Sequence, residues 1–204
     1  MPLLDYQKYV FMKSWQTPYV LWTMSRSAGK ALSLDTPIPT PNGYKTMGEL
    51  EADDYVFDEN GKPTKIIDTS EIFYNHDCYE IEFDDDEKII ADADHLWYVK
   101  NRFNDRFGFT VQKTENIAND YFVQSKGYKY EIPNCSGMSK TIISIKKINS
   151  VPTKCITVDN PMHLFLCGEK GTITHNSTLG APFIMAKSIL IPNFQAYILA
   201  GVGK

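Results

Sequence analysis

The sequence predicts a mostly β domain over residues 31–176, set between two short α/β segments. Three observations predict it. Turn chemistry recurs through the middle of the chain, the stretches between turns are short and rich in β-branched and aromatic residues, and only the two ends carry apolar residues at helical spacing. In residues 1–30 an apolar run at 19–24 leads into Ser25-Arg-Ser-Ala-Gly-Lys30. In residues 177–204, Leu179, Phe183, Ile184, Ala186 and Leu190 follow helical spacing, and an apolar run at 196–200 leads into Gly201. These ends read as strand, loop, helix and strand. Between them, Asn42-Gly43 after Pro41 predicts a type I′ hairpin turn, whose two central residues need positive φ. Residues 58–61 and 84–87 mark two more turns. Strands are expected at 64–73, 78–83, 88–99, 141–148, 154–158, 163–166 and 171–174, a helix at 114–119 and a short turn at 47–50. Residues 100–137, with Arg102, Asn104, Asp105, Arg106 and Gly108, read as a variable surface excursion.

Composition narrows the function. Lys and Arg number 21 against 25 Asp and Glu, a net charge of −4, which speaks against a protein that grips nucleic acid through a basic surface. No apolar run approaches the roughly 18–20 residues of a bilayer span, and the start lacks the layout of a signal peptide. A cytoplasmic, monomeric protein with no membrane partner is therefore expected. The four cysteines, Cys78, Cys135, Cys155 and Cys167, show no CxxC spacing. Neither a zinc site nor a redox pair is expected, and each thiol reads first as a small buried hydrophobe.

Joining residue 30 to residue 177 produces Ser25-Arg-Ser-Ala-Gly-Lys30 followed by Ser177-Thr178. A phosphate loop needs a glycine for close backbone approach, a lysine for the β/γ phosphates and a hydroxyl for Mg²⁺. Gly29, Lys30 and Ser177 meet these needs, and the helix that follows would aim its N-terminus at the phosphates. The joined sequence resembles the ATPase start of phage terminase large subunits, whose loop has the style S-R-x-x-G-K-S. Met24 stands where the general pattern has its first glycine. The resemblance implies that Arg26, Gly29, Lys30, Ser177 and Thr178 bind ATP and Mg²⁺ once joined, in a host that acts on phage DNA with a portal partner in an infected or prophage-bearing bacterium. No strand ending in Asp-Glu follows, so a complete ATPase is not expected.

The middle segment ends in His175-Asn176, directly before Ser177. An asparagine amide can attack its own main-chain carbonyl and cut the chain, a neighbouring imidazole can assist near neutral pH, and the next hydroxyl can accept an acyl group. Together the opening Ala31-Leu-Ser-Leu-Asp35-Thr-Pro-Ile38, the Asp92-Ala-Asp-His95 stretch, the Lys154–Val158 and His163–Phe165 stretches and the terminal His175-Asn176 resemble the four splicing blocks of inteins, in order. The resemblance implies a horseshoe-like Hint (hedgehog/intein) fold, no homing-endonuclease domain, no metal or cofactor, and the chain's own flanks as substrate.

Ala31 offers no nucleophile where most inteins have Cys or Ser. Trp97, Cys155 and Thr174 stand where class 3 inteins carry their Trp, Cys and Thr. The implied route runs through a Cys155 thioester to Lys30, transfer to Ser177, and cyclisation of Asn176 helped by His175. His95 is the expected acid for the Ala31 amine. Asp92 replaces a usual Thr; it either orients and charges His95 or is, with Asp94, a solvated carboxylate. Trp97 is expected to position Cys155 by packing, Thr174 to hydrogen-bond near the second junction, and His163 either to act at the site or to shape its block. His76, after Asn75, reads as an exposed turn residue. Three alternatives remain open: a precursor blocked by loss of its first nucleophile, a nucleotide-binding module with a permanent β insertion, and a Hint domain that cleaves without joining.

Overall fold

The computed structural model describes residues 31–103 and 108–176, all within one compact unit. In chain order the strands are β1 (Leu32–Ser33), β2 (Pro37–Thr40), β3 (Gly43–Thr46), β4 (Tyr55–Phe57), β5 (Pro63–Thr69), β6 (Cys78–Phe83), β7 (Lys88–Asp92), β8 (Leu96–Asn101) and β9 (Phe109–Lys113). Helix α1 (Thr114–Asp120) follows, then β10 (Phe122–Val123), β11 (Gly127–Tyr128), β12 (Tyr130–Pro133), β13 (Ser139–Ile148), β14 (Thr153–Lys154), β15 (Ile156–Val158), β16 (Leu164–Cys167) and β17 (Thr172–His175). The mostly β expectation for 31–176 holds. The flanking strands and helix lie outside the described residues.

One large sheet runs β14-β1-β7-β6-β13-β12-β8-β17-β16, with β9 on the other edge of β8. Its inner face buries Leu32, Ile81, Phe83, Ile89, Trp97, Val99, Ile132 and Ile142 in one cluster. Period-two alternation produces this face: Ile81 and Phe83 point inward with Tyr79 packed beside them, while Glu80 and Glu82 on the other face stay partly exposed. A three-stranded sheet, β15-β5-β4, closes over the same core.

Several sequence expectations are corrected. The stretch 88–99 is two strands, broken where Asp92 and Asp94 turn the chain. The stretch 154–158 is also two, because β14 pairs with β1 in the large sheet whereas β15 pairs with β5. Residues 100–137 are not merely a surface excursion, since β12 pairs with β8 and β13 and buries Ile132 fully. The hairpin at Asn42-Gly43 forms, but not as type I′. Only Gly43 has positive φ (103°), and it already pairs with Thr40, whose Oγ1 accepts from the Asn42 amide.

The tip of the β16–β17 hairpin is tied down by a buried charge. Glu87 Oε2 accepts from Lys140 Nζ (2.6 Å) and Thr172 Oγ1 (2.5 Å), and Oε1 accepts from the Lys170 amide (2.8 Å). Lys140 also meets Asp85 at 2.8 Å. A carboxylate this enclosed is tolerated because its oxygens are satisfied. It pins the register of the strand that ends at His175.

Candidate active site

The first residue of the β domain is held between two segments. Leu32 pairs with Lys154 and Ser33 with Thr153, so the antiparallel register carries Ala31 opposite Cys155. On the other side the Asp92 amide donates to the Ala31 carbonyl at 3.0 Å. Ala31 is 1% exposed and Cys155 2%. Cys155 belongs to neither strand beside it, and its Sγ lies 3.5 Å from the Ile156 carbonyl.

The last residue reaches the same carbonyl. Asn176 Nδ2 donates to Ile156 O at 3.0 Å, so the Cys155 sulfur and the Asn176 amide share one acceptor and stand within two hydrogen-bond lengths. The Asn176 main-chain N–H donates to His163 O at 2.8 Å. His163 has φ +54°, an uncommon conformation for a residue with a Cβ, which costs about 1–3 kcal/mol. Asn160 builds the turn that supports it: its Oδ1 accepts from the Met162 amide (2.7 Å) and its carbonyl from the His163 amide (2.9 Å).

Strand alternation sends the two junction imidazoles to different neighbours. On β17, Thr174 Oγ1 lies 2.6 Å from His95 Nε2, while the next side chain, His175, faces His163 with ring centroids 6.4 Å apart. The Thr174 hydroxyl donates to Leu96 O (3.4 Å), which leaves its lone pairs for an Nε2–H of His95. The indole of Trp97, fully buried, meets His95 edge-on at 4.8 Å, and its Nε1 donates to Thr114 Oγ1 at 3.0 Å. One seam therefore gathers an alanine carbonyl and a thiol, with the main chain of His95 joined to that carbonyl through Asp92. The other gathers an asparagine amide with two histidines.

No family model matches the chain. Among solved structures, the chain is similar to the Msm DnaB1 intein splicing domain, crystallised with zinc, at 32% identity over 72% of this chain and 100% of that one (TM-score 0.58). It is similar to the MchDnaB-1 intein at 33% identity with the same coverage (TM-score 0.59). The chain belongs to the intein family. Its described fold is the Hint fold of protein-splicing domains. Among curated sequences, the replicative DNA helicase DnaB of Mycobacterium leprae (strain TN) is 35% identical over 170 residues, covering 79% of this chain and 26% of the helicase. The intein chain thus spans about a quarter of that relative. These relatives lend no support to a terminase host.

Several readings of the site residues change in this intein. The Asp92 carboxylate is buried rather than solvated, and it accepts from His76 Nδ1 (2.7 Å) and the Asp94 amide (2.8 Å). Its link to His95 is through the main chain, where the His95 amide donates to Asp92 O at 3.0 Å. His76 is exposed after Asn75 (φ +62°), as expected, and it is also hydrogen-bonded to Asp92 and stacked on Phe73 at 5.4 Å. Trp97 packs on His95 and Phe83, so it holds the imidazole directly. Asp94 is paired with Lys113. Lys30, Ser177, Arg26, Gly29 and Thr178 lie outside the described residues. Among the described residues no group of three His, Cys, Asp or Glu is placed to hold a metal ion. Ser70 and Ile156 were not singled out from the sequence, and the bond of His76 to Asp92 was not foreseen; only their partners' motifs could have pointed there.

Proposed function

We propose that this intein excises residues 31–176 and joins Lys30 to Ser177, using Cys155 in place of a nucleophile at position 31. The Cys155 sulfur attacks the Lys30 carbonyl carbon. A C–S bond forms, the bond to the Ala31 nitrogen breaks, and the leaving amine gains through His95 the proton that the thiol loses. Ser177 Oγ then attacks the thioester, and the thiol is restored with the hydroxyl's proton. Asn176 Nδ2 attacks its own main-chain carbonyl, closing a succinimide and freeing the Ser177 amine, with His175 and His163 beside it. That amine captures the ester carbonyl and leaves an ordinary Lys30–Ser177 peptide bond. Each transfer needs near-attack separations of about 3–3.5 Å.

One observation carries the reading: the segment around Cys155 and Ile156 touches both ends of the insert, through the β1–β14 register and the Asn176 bond. Ala31 removes the usual first nucleophile, and Trp97, Cys155 and Thr174 together support class 3 chemistry. The splicing draws on no cofactor, nucleic acid, membrane or second copy, and runs in the cytoplasm on the chain's own flanks.

After joining, Gly29, Lys30 and Ser177, flanked by Arg26 and Thr178, would form a loop for ATP and Mg²⁺ in the host. The Ser25–Lys30 style favours a terminase acting on phage DNA with its portal. The DnaB match favours a replicative helicase. It covers 79% of this chain against the 72% covered by the inteins, so it reaches into the flanks.

Mass spectrometry of the expressed chain tests the reaction. Splicing yields free 31–176 together with residues 1–30 joined to 177–204. Persistence of the 23.3 kDa species alone would identify a permanent insertion or a blocked precursor, and separate unjoined flanks would identify cleavage without ligation. Recovery of splicing only on Ala31→Cys would favour the blocked precursor.

A further inference from the structure

Cys155 sits where the chain leaves one sheet for another. Strand β14 ends its pairing with β1 at Lys154, and β15 begins its pairing with β5 at Ile156, opposite Thr69. Neither ladder supplies partners for the main chain of residue 155, yet an enclosed N–H without an acceptor costs about 1–3 kcal/mol. Ser70, the residue after β5, fills the gap. Its amide donates to Cys155 O at 2.9 Å, and its Oγ accepts from the Cys155 amide at 2.9 Å. In an antiparallel hydrogen-bonded pair, two residues exchange both bonds through their backbones. Here the serine hydroxyl replaces the backbone carbonyl in one of the two, and it donates its own hydrogen bond to Glu71 O at 2.7 Å. Ser70 is 7% exposed, so water does not compete freely for the bond. The next backbone pair along, Phe73 with Thr153, closes the same segment from beyond Cys155.

We propose that Ser70 is the positioning residue of Cys155. Its hydroxyl sets the main chain at the sheet switch, and so aims the sulfur at the Lys30–Ala31 bond. The proposal rests on the reading of Cys155 as the nucleophile that opens that bond. It assigns Ser70 to the first junction alone, because Asn176 is held by Ile156 and His163 instead.

The test uses the full chain carrying Asn176→Ala, which blocks the second junction, and follows dithiothreitol-induced release of residues 1–30 by mass spectrometry. Ser70→Ala is expected to slow release at least tenfold. Ser70→Thr, which keeps the oxygen, should stay within about threefold of the parent, and Ser70→Val, of the same shape without it, should fall with Ser70→Ala. The Thr–Val comparison decides the matter even if Ser70→Ala does not fold. In a Cys155→Ala chain that keeps Asn176, Ser70→Ala should leave second-junction cleavage within twofold. Equal rates for Ser70→Thr and Ser70→Val, or equal slowing at both junctions, would overturn the positioning role. Undiminished dithiothreitol-induced release in the Cys155→Ala, Asn176→Ala chain would instead overturn the nucleophile reading, whatever Ser70 does.

Discussion

Four thiols in one small domain meet four environments, and the differences are set by what surrounds each sulfur. Cys167 is wholly enclosed, and burial, with Glu87 nearby, pushes its thiol well above the ordinary value of 9.0. Burial also raises Cys78, against the opposing effect of a hydrogen bond with the Val151 main chain. Cys135 is exposed. Iodoacetamide at pH 8 is therefore expected to label Cys135 first and to leave Cys167 unlabelled until the chain unfolds. A folded thiol held above its unfolded value stays protonated while the unfolded chain ionises. Stability is then fully present below pH 9 and falls as pH rises further. Urea midpoints at pH 8 and pH 10 should show a smaller alkaline drop for Cys167→Ala than for the parent; an equal drop would contradict this. The chemistry-bearing residues were legible because each sits in a short local motif: His95 with Trp97, and Thr174 with His175 and Asn176. Ser70 was not legible, since its meaning lies in a bond to a residue 85 positions away. The His76–Asp92 pair was hidden for the same reason, joining a turn to a strand end.

Among the elements, those rich in β-branched or apolar residues and bounded by turn chemistry were readable. Strand β6 appears at its expected bounds, and β13, β16 and β17 within one or two residues. Among what the sequence missed are the two-residue strand β1 and the split between β14 and β15, because runs so short carry no period. Their pairing comes from the sheet rather than from local preference. The β16–β17 hairpin offers a test of how an element sets a site. Gly168 has φ +76°, and a Cβ there would overlap the Glu87 carboxylate, which occupies the space against the turn. Gly168→Ala is expected to cost about 1–3 kcal/mol of stability, from both the strained backbone and the displaced carboxylate. It should also slow second-junction cleavage more than first-junction cleavage, since Asn176 directly follows β17. Urea unfolding and junction-specific mass analysis would check both. Unchanged stability would show that the tip relaxes freely.

At the scale of the whole molecule, the sheet solves a problem of distance. Residues 31 and 176 lie at opposite ends of the insert, yet β1 and β17 are both strands of one sheet whose path bends around a shared core. The β14–β15 crossover then touches both ends. That convergence could be inferred from the chemistry of the end residues, which is pointless unless they meet. The route by which the strands achieve it was not written in any local pattern. The central claim is that the Cys155 sulfur opens the Lys30–Ala31 bond. The most direct test compares dithiothreitol-induced release of residues 1–30 from the Asn176→Ala chain with that from the same chain carrying Cys155→Ala. Release from the first and a loss of at least a hundredfold in the second is the predicted result; equal release from both would contradict it.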